Sequence, residues 1–342
     1  MPNGHDIVVI GASSGGVEAL RRIVSGLPED LPAAVFVVIH LLEEVPSALP
    51  KILDRAGPLE AVRPRDGEPI EKGRVYAAVP DHHMLIEDGR VRMARGPMEN
   101  RHRPAADPLF RSAAIAYGPR VVGVILTGAL NDGTAGLLAV KRRGGIAVVQ
   151  DPNEALFSGM PESALHYVEV DHCVPLGEVA PLLVRLSRED VPAEKEGADR
   201  TVPDEMRYEV RMAGLDSAAA MQNDYQIGEL SRFTCPECTG PLFEIREEEG
   251  LLRYRYRVGH AHAAESLIDE KAETLENALY VALNTLQENA DMTRSLAKRS
   301  RESEQEHAAR RFEERARNME EKAAAVRQVL TEGTADPSVN AV

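Results

Sequence analysis

A short apolar run followed by a turn of small residues constrains the fold of this chain most strongly. Residues 7–10 are continuously apolar, which is typical of a strand buried on both faces of a parallel sheet. Residues 11–16 read G-A-S-S-G-G, and apolar residues at helical spacing follow over 17–24. The pattern predicts a strand, a tight turn and a helix. Ser13 and Ser14 then lie at the carboxyl end of the strand, where ligands bind in open α/β sheets.

The turn itself is open to three interpretations. It fits G-x-S-x-G, in which a serine hydroxyl is exposed on a sharp bend above a helix N-terminus. It also resembles a glycine-rich phosphate turn, and it could be no more than a tight connection. A dinucleotide site is disfavoured because the G-x-G-x-x-G spacing is missing and the second strand ends at His40 instead of an acidic residue.

Strand and helix patterns alternate from Asp6 to about Leu186. The further predicted strands cover residues 33–39, 74–79, 84–86, 91–93, 121–126, 146–149 and 172–175. Asp88-Gly89 indicates a hairpin between the third and fourth of these. Predicted helices cover residues 109–117, 134–143 and 179–186, with a short one near Leu49. Alternation of this kind predicts an α/β fold with a doubly wound, mainly parallel, Rossmann-like sheet.

The rest of the chain divides by composition. We predict a first domain over residues 1–188, a linker over 189–231, a small zinc-ribbon-like segment over 232–262, a helical region over 263–332 and a disordered tail over 333–342. The helical region contains an apolar stripe from Leu267 to Leu296 and a weaker one from Phe312 to Val329. A bend over residues 300–306 would make it a helical hairpin, and a single long coiled-coil helix is the alternative.

Composition excludes several classes of protein. The net charge of −15 over 342 residues argues against nucleic acid as a main partner. No apolar run reaches the length of about 20 residues that a membrane span needs, so we expect no membrane insertion. Three cysteines make a disulfide framework improbable. The cytoplasm is the expected location.

Three predicted turns at strand ends carry groups suited to acyl transfer, namely Ser13, His40 and Asp132. A serine hydroxyl needs an imidazole to take its proton, and a carboxylate holds that imidazole in the required tautomer. Parallel strands place all three groups at one edge of the sheet. Each also has a structural interpretation, because Ser13 and Asp132 could cap helices. The rival bases are His82, His83 and His102.

Several ordered motifs resemble the chemotaxis methylesterases, the CheB catalytic domain. They are I-G-A-S-S-G-G at residues 10–16, V-V-I-H at 37–40, N-R-H-R-P at 100–104, V-V-G-V-I-L-T-G at 121–128, N-D-G at 131–133 and G-M-P at 159–161. The resemblance covers about residues 7–186. Members of this family remove methyl groups from glutamyl methyl esters on chemoreceptor helices, and many also deamidate glutamine.

The resemblance implies a role for each matched residue. Ser13 would be the nucleophile, His40 the general base and then acid, and Asp132 the orienting carboxylate. The oxyanion donors would be backbone amides near Ser14 and at Ala129, where the family often has methionine. No metal or organic cofactor is needed for this chemistry.

The resemblance also implies a substrate cleft and partners. His102, Arg103 and Asn131 would line the cleft, although packing and salt bridging are the alternative for the first two. Methylated chemoreceptor-type helices and a cognate methyltransferase pathway would be the partners. Family members in chemotaxis usually carry an N-terminal receiver domain, and because the first strand begins at Asp6 we expect none here.

Cys235-x-x-Cys238 has the ligand spacing of half a zinc site. His260 and His262 are candidates for the other half. Comparable segments in stand-alone methylesterase-like proteins resemble C-x-x-C…C-x-x-x-H, and the third cysteine would fall at Tyr256. This comparison favours a metal-free remnant over a zinc site bound by Cys235, Cys238 and His260. Its aromatic core would consist of Phe233, Phe243 and Tyr254.

Together these features predict a serine hydrolase that demethylates glutamyl methyl esters on chemoreceptor-type proteins and releases methanol. The alternative is a non-catalytic signalling scaffold that binds receptor or partner helices through its helical region. The apolar stripes of that region are also compatible with self-association.

Overall fold

A seven-stranded parallel sheet forms the centre of the computed structural model, which describes residues 4–40, 48–191, 202–214, 228–257 and 259–333. Internal contacts divide the chain into two units, Met1–Leu267 and Ile268–Val342. Within the described residues, no helix combines the length and the apolar character that crossing a bilayer requires. The predicted linker lies largely at 192–201 and 215–227, and the predicted tail at 334–342, outside the described residues.

The strands are β1 (Ile7–Ala12), β2 (Ala34–Ile39), β3 (Glu60–Val62), β4 (Arg74–Ala77), β5 (His83–Glu87), β6 (Arg90–Ala94), β7 (Val121–Ile125), β8 (Ile146–Gln150), β9 (His172–Val174), β10 (Glu229–Thr234), β11 (Pro241–Arg246), β12 (Leu252–Tyr256) and β13 (Ala261–Ala263). The helices are α1 (Gly16–Ser25), α2 (Leu49–Asp54), α3 (Ala106–Tyr117), α4 (Thr134–Arg142), α5 (Gly159–Tyr167), α6 (Leu176–Arg188), α7 (Asp204–Ala213), α8 (Ala264–Glu302) and α9 (Glu306–Gly333).

Both faces of the central sheet are covered by helices, as its uninterrupted apolar strands require. Alternate side chains of β1 enter opposite cores: Ile7 and Val9 pack on the face covered by α3 and α4. Val8 and Ile10 pack on the face covered by α1 and α6. All six residues of β1 and all six of β2 are buried. The predicted doubly wound α/β fold is therefore confirmed.

The strand order β3-β4-β2-β1-β7-β8-β9 places the first strand in the middle of the sheet. β1 pairs in parallel with β2 on one side and with β7 on the other. The chain thus winds outwards in both directions from β1, and the crevice at the carboxyl end of β1 is a topological switch point. Ligand sites of open α/β proteins lie at such points.

Some elements were predicted from the sequence and others were not. The hairpin of β5 and β6 forms at Asp88-Gly89 as predicted, and both turn residues have positive φ. The short strand β3 and the helix α5 follow no clear periodicity, and α7 forms inside the predicted linker. α7 is amphipathic and buries Met206, Val210 and Met212, so packing stabilises a helix that its charged sequence conceals.

A second sheet, of four antiparallel strands in the order β10-β11-β12-β13, follows α7. Its core includes Cys235, Leu242, Tyr254 and Leu267. The rings of Phe233 and Tyr254 meet edge to face with centroids 5.4 Å apart. This small sheet belongs to the same unit as the large one.

A cluster of buried charges joins the small sheet, α7 and α3. Arg255 of β12 lies 3.1 Å from Glu99 and 3.0 Å from Glu209 of α7. Arg253 contacts Glu209 at 2.5 Å, and Arg111 of α3 pairs with both Glu99 and Glu209. Every side chain in the cluster is at most 10% exposed. Buried charges persist only where they are paired, so these contacts fix the position of the small sheet.

The described residues of the second unit, 268–333, form a helical hairpin, because α8 and α9 are joined by the predicted bend and run antiparallel. Arg294 and Arg301 of α8 pair with Glu320 and Glu313 of α9. The predicted apolar stripe of α8 lies only partly on the contact face, since Ala290 is buried whereas Leu275 is 60% and Met292 64% exposed. The buried positions are mostly alanines at seven-residue spacing, namely Ala290, Ala297, Ala309, Ala316 and Ala323. Small side chains allow close approach of the helices, which a search for large apolar residues overlooks.

Candidate active site

Ser13, His40 and Asp132 form a chain of hydrogen bonds at the switch point. Ser13 follows β1, His40 follows β2, and Asp132 lies in the turn between β7 and α4. The Ser13 Oγ lies 2.9 Å from His40 Nδ1, and His40 Nε2 lies 2.8 Å from Asp132 Oδ2. The structure therefore brings together the three groups that the sequence placed on one edge of the sheet.

The neighbours of His40 determine its tautomer. An ionised carboxylate only accepts hydrogen bonds, so the Nε2–H of His40 donates to Asp132. The Nδ1 atom of the neutral ring then carries a lone pair and accepts the hydrogen bond of the Ser13 hydroxyl. The ring is positioned to take a proton at Nδ1 when Ser13 becomes a nucleophile.

The Asp132 carboxylate is held ionised at the N-terminus of α3. Its Oδ2 accepts from the amide of Ala106 at 2.6 Å, and its Oδ1 accepts from the amide of Asp107 at 3.3 Å and from Asn100 Nδ2 at 3.1 Å. Burial alone would raise the pKa of Asp132, but the hydrogen bond and charge of His40 and the Ala106 amide outweigh it and hold this pKa well below its usual range. Asp132 is thus a permanent negative charge beside His40.

The turn that carries Ser13 is fixed by Thr127 after β7. The amide of Ser13 donates to the Thr127 carbonyl at 3.0 Å, and the Thr127 hydroxyl donates to the carbonyl of Ser14 at 3.0 Å. Gly15 closes the turn with φ of +76°, a conformation that a side chain would strain. A Cβ on Gly128 would lie 2.9 Å from the Cβ of Ser13, so the two turns are in direct contact.

The backbone amides of Ser14 and Ala129 were predicted as oxyanion donors. Ser14 lies in the turn before α1, and Ala129 lies in the turn after β7. In the part of the chain that the structure describes, no hydrogen bond from either amide to another group of the protein is found. Both residues are exposed to solvent.

His102 packs on the base, and the other rival bases lie elsewhere. The rings of His40 and His102 have centroids 3.5 Å apart at 50°. Burial and the neighbouring charge of His40 lower the pKa of His102 to about 3, so this ring is neutral. His83 is fully buried and bonds the carbonyl of Pro97 at 2.9 Å, while His82 bonds the carbonyl of Pro80. Of the four histidines, His40 alone bridges a serine and a carboxylate.

The other two predicted cleft residues have protein partners. Arg103 forms a salt bridge with Asp81 and donates to the carbonyl of Gly96 at 2.8 Å. Asn131 is 3% exposed, and its side chain donates to Glu265 at 2.5 Å and accepts from Ser266 at 3.0 Å. The turn that carries Asp132 thereby contacts the first residues of α8.

Sequence reasoning missed the residues that support Asp132. Asn100 donates to both Asp132 and Asp107, and its own Oδ1 accepts from the amide of Ala263 in β13. Asn100 has φ of +49°, which asparagine tolerates better than most residues. Its place in N-R-H-R-P was the available signal, but only the fold shows that it bridges two carboxylates.

Asp107 is a second buried carboxyl group beside Asp132. Its burial and then the negative charge of Asp132 raise the pKa of Asp107 to about 7. Its Oδ1 accepts from the amide of Gly136 at 2.6 Å. Near neutral pH this group changes charge next to the carboxylate that orients His40.

The predicted metal-binding residues also come together, in the small sheet. The ligand atoms of Cys235, Cys238 and His260 all lie within 4.8 Å of one another. They follow β10 and precede β13, so they are built separately from the serine site.

Comparisons with known proteins agree with this geometry. The family model described as CheB methylesterase matches residues 8–183, about half of the chain. The crystal structure of the Thermotoga maritima CheB methylesterase catalytic domain superposes with a TM-score of 0.51 at 34% sequence identity, covering 53% of this chain and 98% of that one. The chain belongs to the CheB methylesterase family. The matched range contains Ser13, His40 and Asp132.

Relatives in this family differ in how much of their length is shared. A protein of Leptospira interrogans is 36% identical over 188 residues, which are 55% of this chain and 97% of that protein. The protein-glutamate methylesterase/protein-glutamine glutaminase 2 of Anaeromyxobacter dehalogenans is 37% identical and covers 54% of each chain. The corresponding protein of Pyrococcus abyssi is 35% identical over 52% of this chain and 50% of its own. The chain spans about half the length of these last two relatives.

Proposed function

We propose that Ser13 is the nucleophile of a serine hydrolase that demethylates glutamyl methyl esters on chemoreceptor-type proteins and releases methanol. Membership of the CheB methylesterase family makes the chain a protein-glutamate methylesterase. The observation that carries the serine mechanism is the hydrogen-bonded sequence of Ser13, His40 and Asp132. The predicted absence of a catalytic cofactor and the cytoplasmic location stay predictions.

The acylation step follows from the tautomer of His40. Ser13 Oγ attacks the ester carbonyl carbon while its proton passes to His40 Nδ1. Asp132, ionised at neutral pH, stabilises the imidazolium through Nε2–H. The amides of Ser14 and Ala129 donate to the oxyanion, and one such donor contributes about 10²–10³ in turnover.

The tetrahedral intermediate then breaks down to an acyl-enzyme. The methoxide oxygen takes the proton from His40 and leaves as methanol, so that the glutamyl group remains esterified to Ser13. Water gives a proton to His40 Nδ1 and attacks this ester, and the glutamate side chain is released as Ser13 regains its hydrogen. A glutamine substrate would follow the same course with ammonia as the leaving group, in agreement with the glutaminase part of the relatives' names.

The partners follow from this chemistry. The substrates are exposed glutamyl methyl esters on a protein helix. A glutamate methyltransferase forms these esters. The scaffold alternative is less favoured, because a protein that only binds helices has no need of a buried carboxylate that orients a histidine onto a serine.

The deciding experiment measures methanol release from methyl-labelled chemoreceptor membranes. We expect release by the wild type and by the control variant Ser25→Ala, whose exposed hydroxyl donates to the nearby Arg22 carbonyl on the surface of α1. Ser13→Ala should lose about four orders of magnitude or more and fall to background. Equal release by Ser13→Ala would refute the nucleophile.

A fluorophosphonate probe distinguishes the two functions when methanol release is absent. Labelling of wild type at Ser13 without methanol release would indicate a serine hydrolase with a different substrate. Folded wild-type protein that takes up no label would instead support the scaffold alternative.

A further inference from the structure

The turn from Cys235 to Gly240 has the backbone of a metal-binding knuckle. The amide of Cys235 donates to the carbonyl of Gly240, and the amide of Thr239 donates to the carbonyl of Cys235, both at 2.8 Å. Thr239 has φ of +60°. The backbone amides of Glu237 and Cys238 donate to the Cys235 sulfur. The chain therefore curls around this sulfur and directs amide hydrogens towards it.

His260 lies close to both sulfurs. Its Nδ1 lies 3.6 Å from Cys235 Sγ and 3.3 Å from Cys238 Sγ. In a tetrahedral zinc site, with Zn–S of about 2.3 Å and Zn–N of about 2.0–2.1 Å, the sulfur-to-nitrogen edge is about 3.5 Å. The two sulfur-to-nitrogen distances are therefore those expected around one zinc ion.

Glu237 fixes the orientation of the His260 ring. The Nε2 of His260 lies 3.2 Å from Glu237 Oε2, which can only accept when ionised. The proton is therefore on Nε2, and the Nδ1 lone pair faces the sulfurs. A carboxylate behind a histidine is the usual arrangement at zinc sites, where it holds the ligand ring in place.

A fourth group lies next to Cys235. His262 is 1% exposed, and its Nε2 lies 3.6 Å from Cys235 Sγ. Tyr256, at the position expected for a third cysteine, instead lays its ring against Gly240 of the knuckle. One nitrogen of His262 instead groups with carboxylate oxygens of Glu237 and Glu270, all within 4.8 Å of one another.

We propose that Cys235, Cys238 and His260 bind one zinc ion. Soft thiolates combined with imidazole are a donor set that selects zinc among common divalent cations. The site lies outside the range matched by the family model and apart from the serine site. It replaces the metal-free remnant that the sequence alone favoured.

The position of this site gives the ion a structural role. His260 directly precedes β13, and the amide of Asn100 donates to the carbonyl of Ala261 at 2.8 Å while the Asn100 side chain accepts from the amide of Ala263. An ion at His260 would order the strand that holds Asn100, and Asn100 holds Asp132.

The test is the zinc content of the full chain, purified from zinc-supplemented cells and dialysed against a weak chelator. We expect about one zinc ion per chain in wild type and in the control variant Cys173→Ser, since Cys173 is an exposed thiol of β9. Cys238→Ser should lose the zinc, and because Cys238 is exposed this change leaves the core intact. Circular dichroism checks the fold of each variant.

One further measurement makes the outcome decisive. A mercurial titration of wild type should release zinc. Folded wild type with less than about a tenth of an ion per chain and three titratable thiols, or full zinc retention by Cys238→Ser, would overturn the site.

Discussion

At the scale of single residues, Asn100 is the side chain that joins the two buried carboxyl groups of the site. Its amide group lies between two buried carboxyl groups, Asp132 at 3.1 Å and Asp107 at 2.9 Å. Among the described residues, Asn100 forms no hydrogen bond with Ser13 or His40, so it acts as a positioning residue. It affects catalysis indirectly, because its side chain donates to the Asp132 carboxylate.

Asn100→Asp is expected to lower kcat about 10- to 150-fold with little change in KM. The change keeps the shape of the side chain but replaces a donor by a third carboxylate, and a hydrogen bond to a charged group contributes about 1.5–3 kcal/mol. The assay is methanol release as a function of substrate concentration and pH. Asn153→Asp, at an exposed position, is the matched control. A rise in KM alone would contradict the positioning role.

The raised pKa of Asp107 predicts that the free energy of unfolding depends on pH. Its folded pKa of about 7 lies above its ordinary value of 3.8, so the native state retains a proton that the unfolded state releases. Stability from this group is fully present below about pH 4 and is lost as pH rises to about 7. Asp132 has the opposite sign, since its lowered pKa contributes stability that is lost only as pH falls below about 4.

The measurement is urea unfolding of wild type and Asp107→Asn at several pH values between 4 and 8. We expect the wild type to lose stability relative to the variant as pH rises towards about 7, and the difference to be constant above that. A difference that is independent of pH over this range would show that Asp107 is ionised throughout.

At the scale of elements, the site depends on turns that follow parallel strands. The turn after β7 contributes Asp132 and also supports Ser13 through Thr127. Gly128 lies where that turn approaches the Ser13 turn most closely, because a Cβ there would be 2.1 Å from the Met160 sulfur as well as 2.9 Å from the Ser13 Cβ.

Gly128→Ala should therefore displace Ser13 and reduce methanol release by about 10²-fold, the effect expected for a misplacement of about 1 Å. Gly177→Ala is the control, because its Cβ would meet only the end of the flexible Arg22 side chain. Activity and urea unfolding are measured for both variants. Full activity in Gly128→Ala would mean that Met160 moves and Ser13 does not.

At the scale of the molecule, the buried charges between α3, α7 and β12 join parts of the chain that are more than 100 residues apart. Glu209 contacts three arginines, Arg111, Arg253 and Arg255. Removing one member leaves the others buried without full compensation, which costs about 3–5 kcal/mol. Because α3 also supplies the amides that hold Asp132, the cluster supports the active site indirectly.

Glu209→Gln is expected to lower the free energy of unfolding by about 3 kcal/mol or more, whereas Glu205→Gln on the same helix should cost less than about 1 kcal/mol. Glu205 is about one-third exposed and lies 3.7 Å from Arg253, so solvent screens it. Urea unfolding measures both variants. Similar values for the two would show that the cluster contributes little to stability.

The sequence determined the fold class and the position of each polar group along the chain. Residues 7–10, 33–39 and 121–126 are continuous apolar runs. Burial of their side chains is favourable, so they are expected to form strands of a sheet that is covered on both faces. A polar residue directly after such a strand must lie at its carboxyl end. For this reason the amino-acid sequence alone assigns Ser13, His40 and Asp132 to one edge of the sheet.

Only the tertiary structure decided which of these groups touch. The order β2-β1-β7, the bridge formed by Asn100 between two carboxyl groups, and the meeting of Cys238 with His260 all join residues that are distant in the sequence. The intrinsic conformational preference of a residue is the same whatever surrounds it in the fold. It therefore does not determine which distant residues that residue contacts. Partners are selected by packing and charge pairing summed over the whole unit, and those energies exist only once the chain has folded.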